Sequence, residues 1–463
     1  MAPADKLQDC FGLELSTGSE PCVNAINQYY EAVLAYKPFS AWAISEDAVA
    51  ADKSSPMARI LAADYAICRG DAARAKELLE ECSKEVADAD WSWREQRYLD
   101  AWKKWGLEAD FVGCFEILKE VVEKHPTDLF AVKRGQIMGL ILGEGKRILS
   151  IVEIAAKHAA SSPPPRYLHG MWSFGLEQEG QYEEAEKKSR EGLEFEDKLG
   201  PDAWLHHSLA HSLYFQGEDR IDDSLEFLES RSSTWNAETL HPFLFTHNWW
   251  HLALVYTEKR NFEKALSIFH EQLWTDKNKE MQKDPQVQLN ALNLLWRLDT
   301  RGKQEVTKPL WAQVIDGCAG TTLPGADGAK APCQHSDLLL DILLLRGFCA
   351  MAGGNGNTGP LQTWLEQIRA NAKAMAAGSG EGAAARAEAY ESCANCVADL
   401  FDPSIKEAEV PLKHDAAKKR LRELQPRWGA LGGSEEQRSI LLEAIEGPLV
   451  AGSPEANYDT LFR

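Results

Sequence analysis

Apolar residues recur at intervals of three and four positions along most of the chain. This spacing gathers them on one face of an α-helix. The stretch EEAEKKSREGL at 183–193 is typical, with small or apolar residues at helical spacing and charged residues on the remaining surface. Runs rich in valine, isoleucine and threonine with strict alternation, which would indicate strands, do not occur. The pattern therefore predicts an all-α protein.

A weak internal repeat runs through the central part of the chain. Three segments align with one another: EADFVGC at 108–114, GQYEEA at 180–185 and RNFEKA at 260–265. Each places an aromatic residue one turn before a small residue at the start of an amphipathic helix, as in the second helix of a tetratricopeptide unit. Tyr182 and Phe262 lie 80 residues apart, which fits two units longer than the usual length of about 34 residues. We expect a tetratricopeptide-like helical-repeat solenoid, an α-α superhelix; the alternative is a helical bundle with chance matches.

Two segments dense in glycine and proline interrupt the helical pattern. They span 318–333 and 353–360, and this composition is typical of loops. Together with the repeats, these loops predict that the chain is organised into three regions. These are an N-terminal helical segment at 1–90, tetratricopeptide-like helix pairs at 91–275, and C-terminal helical repeats at 276–463 that contain both loops.

Charge and composition narrow the partners that we expect. The 463 residues carry a formal net charge of −21, which repels phosphate backbones and anionic lipid surfaces. We therefore expect neither nucleic acid nor a membrane as a partner. The amino terminus lacks the apolar core of a signal peptide, and the ten cysteines show no framework spacing. These observations predict a cytoplasmic protein with reduced thiols.

Histidines are concentrated in one short part of the chain. Six of the twelve fall between residues 206 and 251. His207 and His211 are spaced i, i+4, as are His247 and His251, so each pair projects from one face of its own helix. In the repeat register these helices occupy equivalent places, and the pattern of tetratricopeptide proteins assigns such positions to the concave surface. We therefore expect a shared ligand-binding groove, completed by the two aromatic residues Tyr214 and Trp250.

Three interpretations of this cluster remain open. The histidines can be core residues whose rings are hydrogen-bonded to carbonyls or carboxylates. They can bind zinc or another divalent metal ion, with His207, His211, His247 and His251 as candidate ligands, although no acidic residue shares their register. They can also move protons in reactions of a small molecule, because imidazole titrates near neutral pH. The polar residues of the helix after Asp284, among them Asn290, can line the same groove or form a solvated face.

Several strings resemble the tetratricopeptide repeat protein 38 family. They follow in the order expected for that family: HPTDLFAV at 125–132, GMWSFGL at 170–176, WLHHSLAH at 204–211, HNWWH at 247–251 and LGGSEEQR at 431–438. The opening Asp9 and Cys10 also match. The resemblance covers most of the chain and implies a helical repeat fold in a cytosolic setting. It implies no established reaction.

The chain also departs from that family. Gln136 and Ile137 stand where a His-Asp pair is expected, and Tyr214 stands where an acidic residue is expected three positions after His211. An expected Asp-Ala-His string is missing around 344–348. If those polar residues serve a reaction in relatives, this chain has altered or lost it.

The sequence favours one function and leaves a second open. The favoured function is a cytosolic interaction scaffold whose histidine-rich concave groove binds a protein or peptide partner. The alternative is an enzyme that acts on a small molecule in that groove by histidine acid/base or metal chemistry. The sequence assigns no catalytic residue and requires no cofactor, with a divalent metal ion as the one candidate.

Overall fold

The computed structural model describes residues 6–85, 90–159, 165–277, 279–325, 328–378 and 382–446. These residues are predominantly helical, so the predicted all-α class is confirmed. The exception is a two-stranded antiparallel hairpin near the amino terminus, formed by β1 (Leu7–Gln8) and β2 (Glu14–Leu15). Such short strands carry too little alternation to be recognised in a sequence.

Most of the helices follow one another with short connections. In chain order they are α1 (Glu20–Leu34), α2 (Phe39–Trp42), α3 (Ile44–Ala51), α4 (Pro56–Cys68), α5 (Ala72–Glu85), α6 (Trp93–Gly106), α7 (Phe111–Lys124), α8 (Leu129–Leu142), α9 (Gly145–His158), α10 (Leu168–Glu177), α11 (Tyr182–Leu193), α12 (Glu196–Leu199), α13 (Ala203–Phe215), α14 (Ile221–Ser232), α15 (Pro242–Glu258), α16 (Phe262–Ile268), α17 (Pro285–Thr300), α18 (Gln304–Gly317), α19 (Leu338–Asn355), α20 (Gly359–Ala376), α21 (Ala383–Phe401), α22 (Val410–Leu424), α23 (Glu435–Arg438) and α24 (Ile440–Glu446). Short 3-10 helices lie at Glu218–Arg220, Met281–Lys283 and Gln425–Leu431, and a short π-helix lies at Phe269–Leu273.

Polar side chains begin many of these helices. Ser92 and Glu95 form a reciprocal capping box at the start of α6, and Asp128 accepts a hydrogen bond from the Ala131 amide at the start of α8. These caps satisfy amide groups that have no partner inside the helix. At the other end of α8, Gly143 adopts a left-handed conformation and stops the helix.

The chain divides into two compact units. The first comprises residues 1–212 and 234–244, and the second comprises residues 213–233 and 245–463. In the first unit, each helix from α6 to α10 packs against the next helix along the chain, as α4 does against α5. In the second unit, α17 packs against α18, α19 and α24, and α20 to α22 continue with neighbour-on-neighbour packing. Packing between consecutive helices is typical of a helical-repeat solenoid.

A buried ionic network fixes the amino-terminal hairpin to the first unit. Arg94 of α6 contacts the Asp9 carboxylate at 2.6 Å and the Asp128 carboxylate at 2.7 Å. The three side chains are at most 2 % exposed. The guanidinium also lies over the ring of Tyr98, with its central carbon 5.2 Å from the ring centroid. Arg94 thus joins residues that are far apart in the sequence.

A second buried network holds the last described helices against α17. Arg297 contacts the Glu443 carboxylate at 2.6 Å and donates to the backbone oxygen of Glu436 at 2.8 Å. Asn293 donates to the backbone oxygen of Gln437 at 3.0 Å. These contacts set the position of α23, whose Glu436 side chain is fully buried.

The predicted loops are partly corrected. The described residues of 318–333 form turns and irregular backbone, as expected. The second loop is shorter than predicted because α19 continues through Asn355, which leaves only 356–358 before α20. Among the described residues, no helix combines the length and apolar character needed to cross a membrane.

Candidate metal site

Helix α13 carries the first histidine pair. His207 and His211 lie one turn apart, with ring centroids 4.5 Å apart and their Nε2 atoms 3.0 Å apart. The Trp204 ring stacks on His207 at 4.4 Å between centroids. Both imidazoles are at most 2 % exposed. The i, i+4 spacing on one helix therefore brings the two Nε2 atoms together, as the sequence predicts.

The preceding repeat helix supplies a carboxylate to this pair. Glu177 is the last residue of α10, is fully buried, and places Oε1 3.4 Å from Nδ1 of His211. Close packing of α10 and α13 makes this contact, since Gly170 leaves room for the backbone of Leu205 and accepts a hydrogen bond from Ser208 at 2.9 Å. A carboxylate beside Nδ1 favours the tautomer that carries the ring proton on Nδ1 and leaves the lone pair on Nε2.

Helix α15 carries the second pair in a similar arrangement. The rings of His247 and His251 lie 4.6 Å apart, and Trp250 stacks on His247 with centroids 4.9 Å apart and planes at 11°. The Glu436 carboxylate lies 3.0 Å from Nδ1 of His251. Each pair thus combines one histidine stacked on a tryptophan with one histidine facing a buried carboxylate.

An amide orients the remaining ring of the second pair. Asn290 of α17 donates through Nδ2 to Thr246 at 3.1 Å, so its Oδ1 accepts from Nδ1 of His247 at 2.9 Å. Asn290 is fully buried. This pattern again places the ring proton on Nδ1 and the lone pair on Nε2.

The two pairs together form a group with metal-binding composition. One ligand atom from each of His207, His211, His247 and His251 can be chosen so that all lie within 4.8 Å of one another, and all four side chains are buried. Four imidazoles are a suitable ligand set for zinc and other divalent transition metals. A buried four-histidine group that can hold a metal ion is therefore present.

The other two histidines of the sequence cluster have different neighbours. His206 places Nε2 2.8 Å from the Glu196 carboxylate and accepts from the Trp235 indole at 3.3 Å. His241 accepts from the Phe243 amide at 3.2 Å through Nδ1. Neither residue belongs to the metal-binding group among the described residues.

The two predicted aromatic residues have distinct surroundings. Trp250 contacts both histidines of its helix, with its ring centroid 5.0 Å from that of His251. Tyr214 donates to the Glu258 carboxylate at 3.2 Å, and Arg301 contacts the same carboxylate at 2.7 Å. Burial raises the pKa of the Tyr214 hydroxyl well above its ordinary value. The binding roles predicted for these aromatic residues stay predictions.

Sequence reasoning missed the partners of the imidazole rings. No signal marks Glu177, which ends an apolar helix, and Glu436 stands in the LGGSEEQR string without any indication of a contact to His251. For Asn290 the sequence predicts only a position in a groove or on a solvated helix face. At one departure from the family pattern, Gln136 donates to the backbone oxygens of Ile148 at 3.1 Å and Met171 at 2.8 Å. A scan of the chain against models of protein families finds no match.

Proposed function

We propose that the protein binds one divalent transition metal ion through the four-histidine group, with zinc as the first candidate. The observation that carries this proposal is the environment of Nδ1. His211, His247 and His251 each place Nδ1 beside a carboxylate or amide oxygen. Such oxygens are the usual hydrogen-bond partners of the second ring nitrogen of a metal-binding histidine, where the bond fixes the tautomer and raises the basicity of the ligand. His247 makes this bond to Asn290.

Charge balance supports an ion of charge +2. The carboxylates of Glu177 and Glu436 are fully buried, beside His211 and His251 respectively. A divalent cation among the imidazoles would offset the two negative charges in a region of low dielectric constant. Four imidazoles complete the coordination of zinc, whereas an ion that prefers six ligands would keep two positions for water or a small molecule.

Elemental analysis of the purified protein tests the proposal. We expect about one zinc or related ion per chain, with loss of the ion in the His211→Gln and His251→Gln variants. His206→Gln is the matched control, since His206 lies on the same helix as His211 and faces Glu196. A protein that stays metal-free after incubation with zinc, or variants that retain the ion, would contradict the proposal.

Cobalt substitution distinguishes a structural ion from a catalytic one. A four-coordinate cobalt ion absorbs visible light strongly, whereas a five- or six-coordinate ion absorbs weakly. We expect the strong spectrum because four protein ligands satisfy a tetrahedral ion. The weak spectrum, with changes on addition of azide, would instead favour an enzyme with open coordination positions.

Imidazole titration by NMR tests whether the histidines act as one site in the metal-free protein. Nearby imidazoles disfavour one another's protonation, so their titrations should be coupled. We expect His247→Gln to shift the titration of His207 and His211. Unchanged titration midpoints would refute a shared site and return the histidines to the role of packing residues. Coupling without any response to zinc would favour proton transfer on a small molecule.

An interaction scaffold is the second candidate function. The helical-repeat architecture supports it, since stacked helix pairs offer extended surfaces to protein or peptide partners. Membership of the tetratricopeptide repeat protein 38 family is likewise a proposal, supported by the sequence strings. Because the four histidines are at most 2 % exposed, a partner chain would have to bind other residues. Isolation of stable complexes from the native cell tests this candidate.

A further inference from the structure

The first unit contains a cavity of about 640 Å³. None of the four histidines of the candidate metal site lines it. Its walls come from the hairpin loop at Cys10 and Phe11, helix α1, the turn before α8, the end of α9 and the start of α10. Phe11, Tyr30, Leu34, Leu129 and Leu168 supply apolar surface, and Phe11 stacks on Tyr30 with centroids 5.1 Å apart. The volume lies within the usual range of small-molecule sites.

Two oppositely charged side chains, Arg166 and Glu31, line this cavity. Glu31 accepts a hydrogen bond from the Tyr167 hydroxyl at 2.7 Å and lies 3.5 Å from Arg166 and 3.9 Å from Lys37. Arg166 and Lys37 both approach this carboxylate, but only Arg166 lines the cavity. The nearby His158 imidazole donates through Nδ1 to the backbone oxygen of Ile154 at 2.9 Å and adds no negative charge.

Arg166 retains most of its hydrogen-bonding capacity. In the part of the chain that the structure describes, its guanidinium donates one hydrogen bond, to the backbone oxygen of Pro201 at 3.2 Å. The side chain is one-third exposed. A guanidinium presents five N–H groups in a planar fork that matches a carboxylate or sulfonate. Arg166 can therefore receive an anionic group at the edge of an apolar cavity.

The backbone at Tyr167 holds this edge in an uncommon conformation. Its φ angle of +74° lies in the left-handed region, which large aromatic residues rarely adopt. The conformation allows the hydroxyl to reach Glu31 while the ring lies 4.7 Å from the guanidinium carbon of Arg166. Strained residues of this kind cluster at ligand-binding sites.

We propose that this cavity binds an amphipathic organic anion, with the apolar body against the aromatic and leucine side chains and the anionic group on Arg166. The inference is independent of the metal site. It rests on a cavity of suitable size, its apolar walls and a guanidinium at its edge with donors to spare.

Two fluorescent probes of similar shape separate the apolar and the anionic contributions. They are 8-anilinonaphthalene-1-sulfonate and uncharged N-phenyl-1-naphthylamine. We expect the folded protein to bind the sulfonate with one strong site, and Arg166→Gln to weaken that binding by about tenfold. The affinity for the uncharged probe should change by less than about twofold in the same variant, because Arg166 contributes little to apolar contact. Arg190→Gln, which removes a surface cation paired with Glu186, is the control and should leave both probes unaffected.

A steric variant verifies the location. Ala159 lines the cavity at the end of α9, whereas Ala156 on the same helix does not. We expect Ala159→Trp to abolish the strong site for both probes and Ala156→Trp to retain it, with circular dichroism confirming that both variants are folded. The proposal is overturned if the wild-type protein shows no strong site. It is also overturned if Arg166→Gln weakens both probes equally, or if Ala159→Trp leaves binding unchanged.

Discussion

Replacement of Arg94 by methionine should destabilise the first unit more than any surface substitution on the same helix. The guanidinium pairs with the carboxylates of Asp9 and Asp128, and all three side chains are almost completely excluded from water. Methionine keeps much of the apolar stem and removes the charge and the hydrogen bonds. Two buried carboxylates would then face each other without a cation.

The size of the effect follows from the cost of an unpaired buried charge. Removal of one partner from a buried ion pair typically costs about 3–5 kcal/mol. Arg97 offers a matched control one turn along α6. Its side chain is 26 % exposed and pairs with the surface residues Asp100 and Glu120. Loss of such pairs costs at most about 1 kcal/mol.

The pH dependence gives a second signature. Burial raises the pKa of Asp9 in the wild-type protein, and the nearby Arg94 opposes that rise. Without Arg94 the pKa of Asp9 in the folded state should rise further above its unfolded value of about 3.9. The folded chain then binds more protons than the unfolded chain, so stability is lost as the pH rises through the folded-state pKa. The loss of unfolding free energy caused by Arg94→Met should therefore be largest near pH 7 and smaller at acidic pH.

Urea unfolding followed by circular dichroism measures the two variants, and hydrogen exchange of peptides from α6 to α8 assigns the loss to the first unit. The reasoning is refuted if Arg94→Met loses no more stability than Arg97→Met. It is also refuted if the deficit grows as the pH is lowered from 7.

Three further predictions concern packing, titration and metal. Gly145→Ala should lower the free energy of unfolding by about 1–3 kcal/mol, because a Cβ atom there would press against the backbone oxygen of Gln178. Gly353 lies at a helical position with open space around it, so Gly353→Ala should raise the free energy of unfolding by about 0.5–1 kcal/mol in the same urea assay. Burial lowers the pKa of His169 below its ordinary value, so an NMR titration should place its midpoint below about 6.5. The stability of the folded protein should fall as the pH drops below that value, because the unfolded chain takes up the proton more readily. Removal of bound metal by a chelator should lower the free energy of unfolding by about 3 kcal/mol, relative to protein with the free ion at a hundred times its dissociation constant. Thermal unfolding measures this difference, and the His211→Gln variant should show no response to the chelator.

Local periodicity accounts for the part of the structure that the sequence predicts. Spacing of three and four residues fixes which side chains share a helix face, so the all-α class and the close approach of His207 to His211 follow from the sequence. The continuation of α19 through Gly353 does not, because packing of the preceding apolar turns outweighs the low helix propensity of glycine.

Tertiary contacts account for the part that the sequence leaves open. Glu177 reaches His211 because α10 packs against α13, and Glu436 reaches His251 because Arg297 holds α23. Neither carboxylate lies within a helical turn of its partner in the sequence. A search limited to i, i+4 neighbours therefore finds the imidazoles and misses the carboxylates and the amide of Asn290 that orient them.

The origin of Glu436 in α23 has a consequence for the order of events during protein synthesis. Glu436 follows His251 by 185 residues, which at about 5–20 residues per second corresponds to roughly 10–40 seconds of translation. During that interval the nascent chain already contains all four imidazoles, but His251 lacks the carboxylate that orients it. Early capture of an ion by the growing chain would therefore be weaker and less selective than capture by the finished protein. If the histidines bind an ion as proposed, synthesis of α23 would act as a timing step for metal loading.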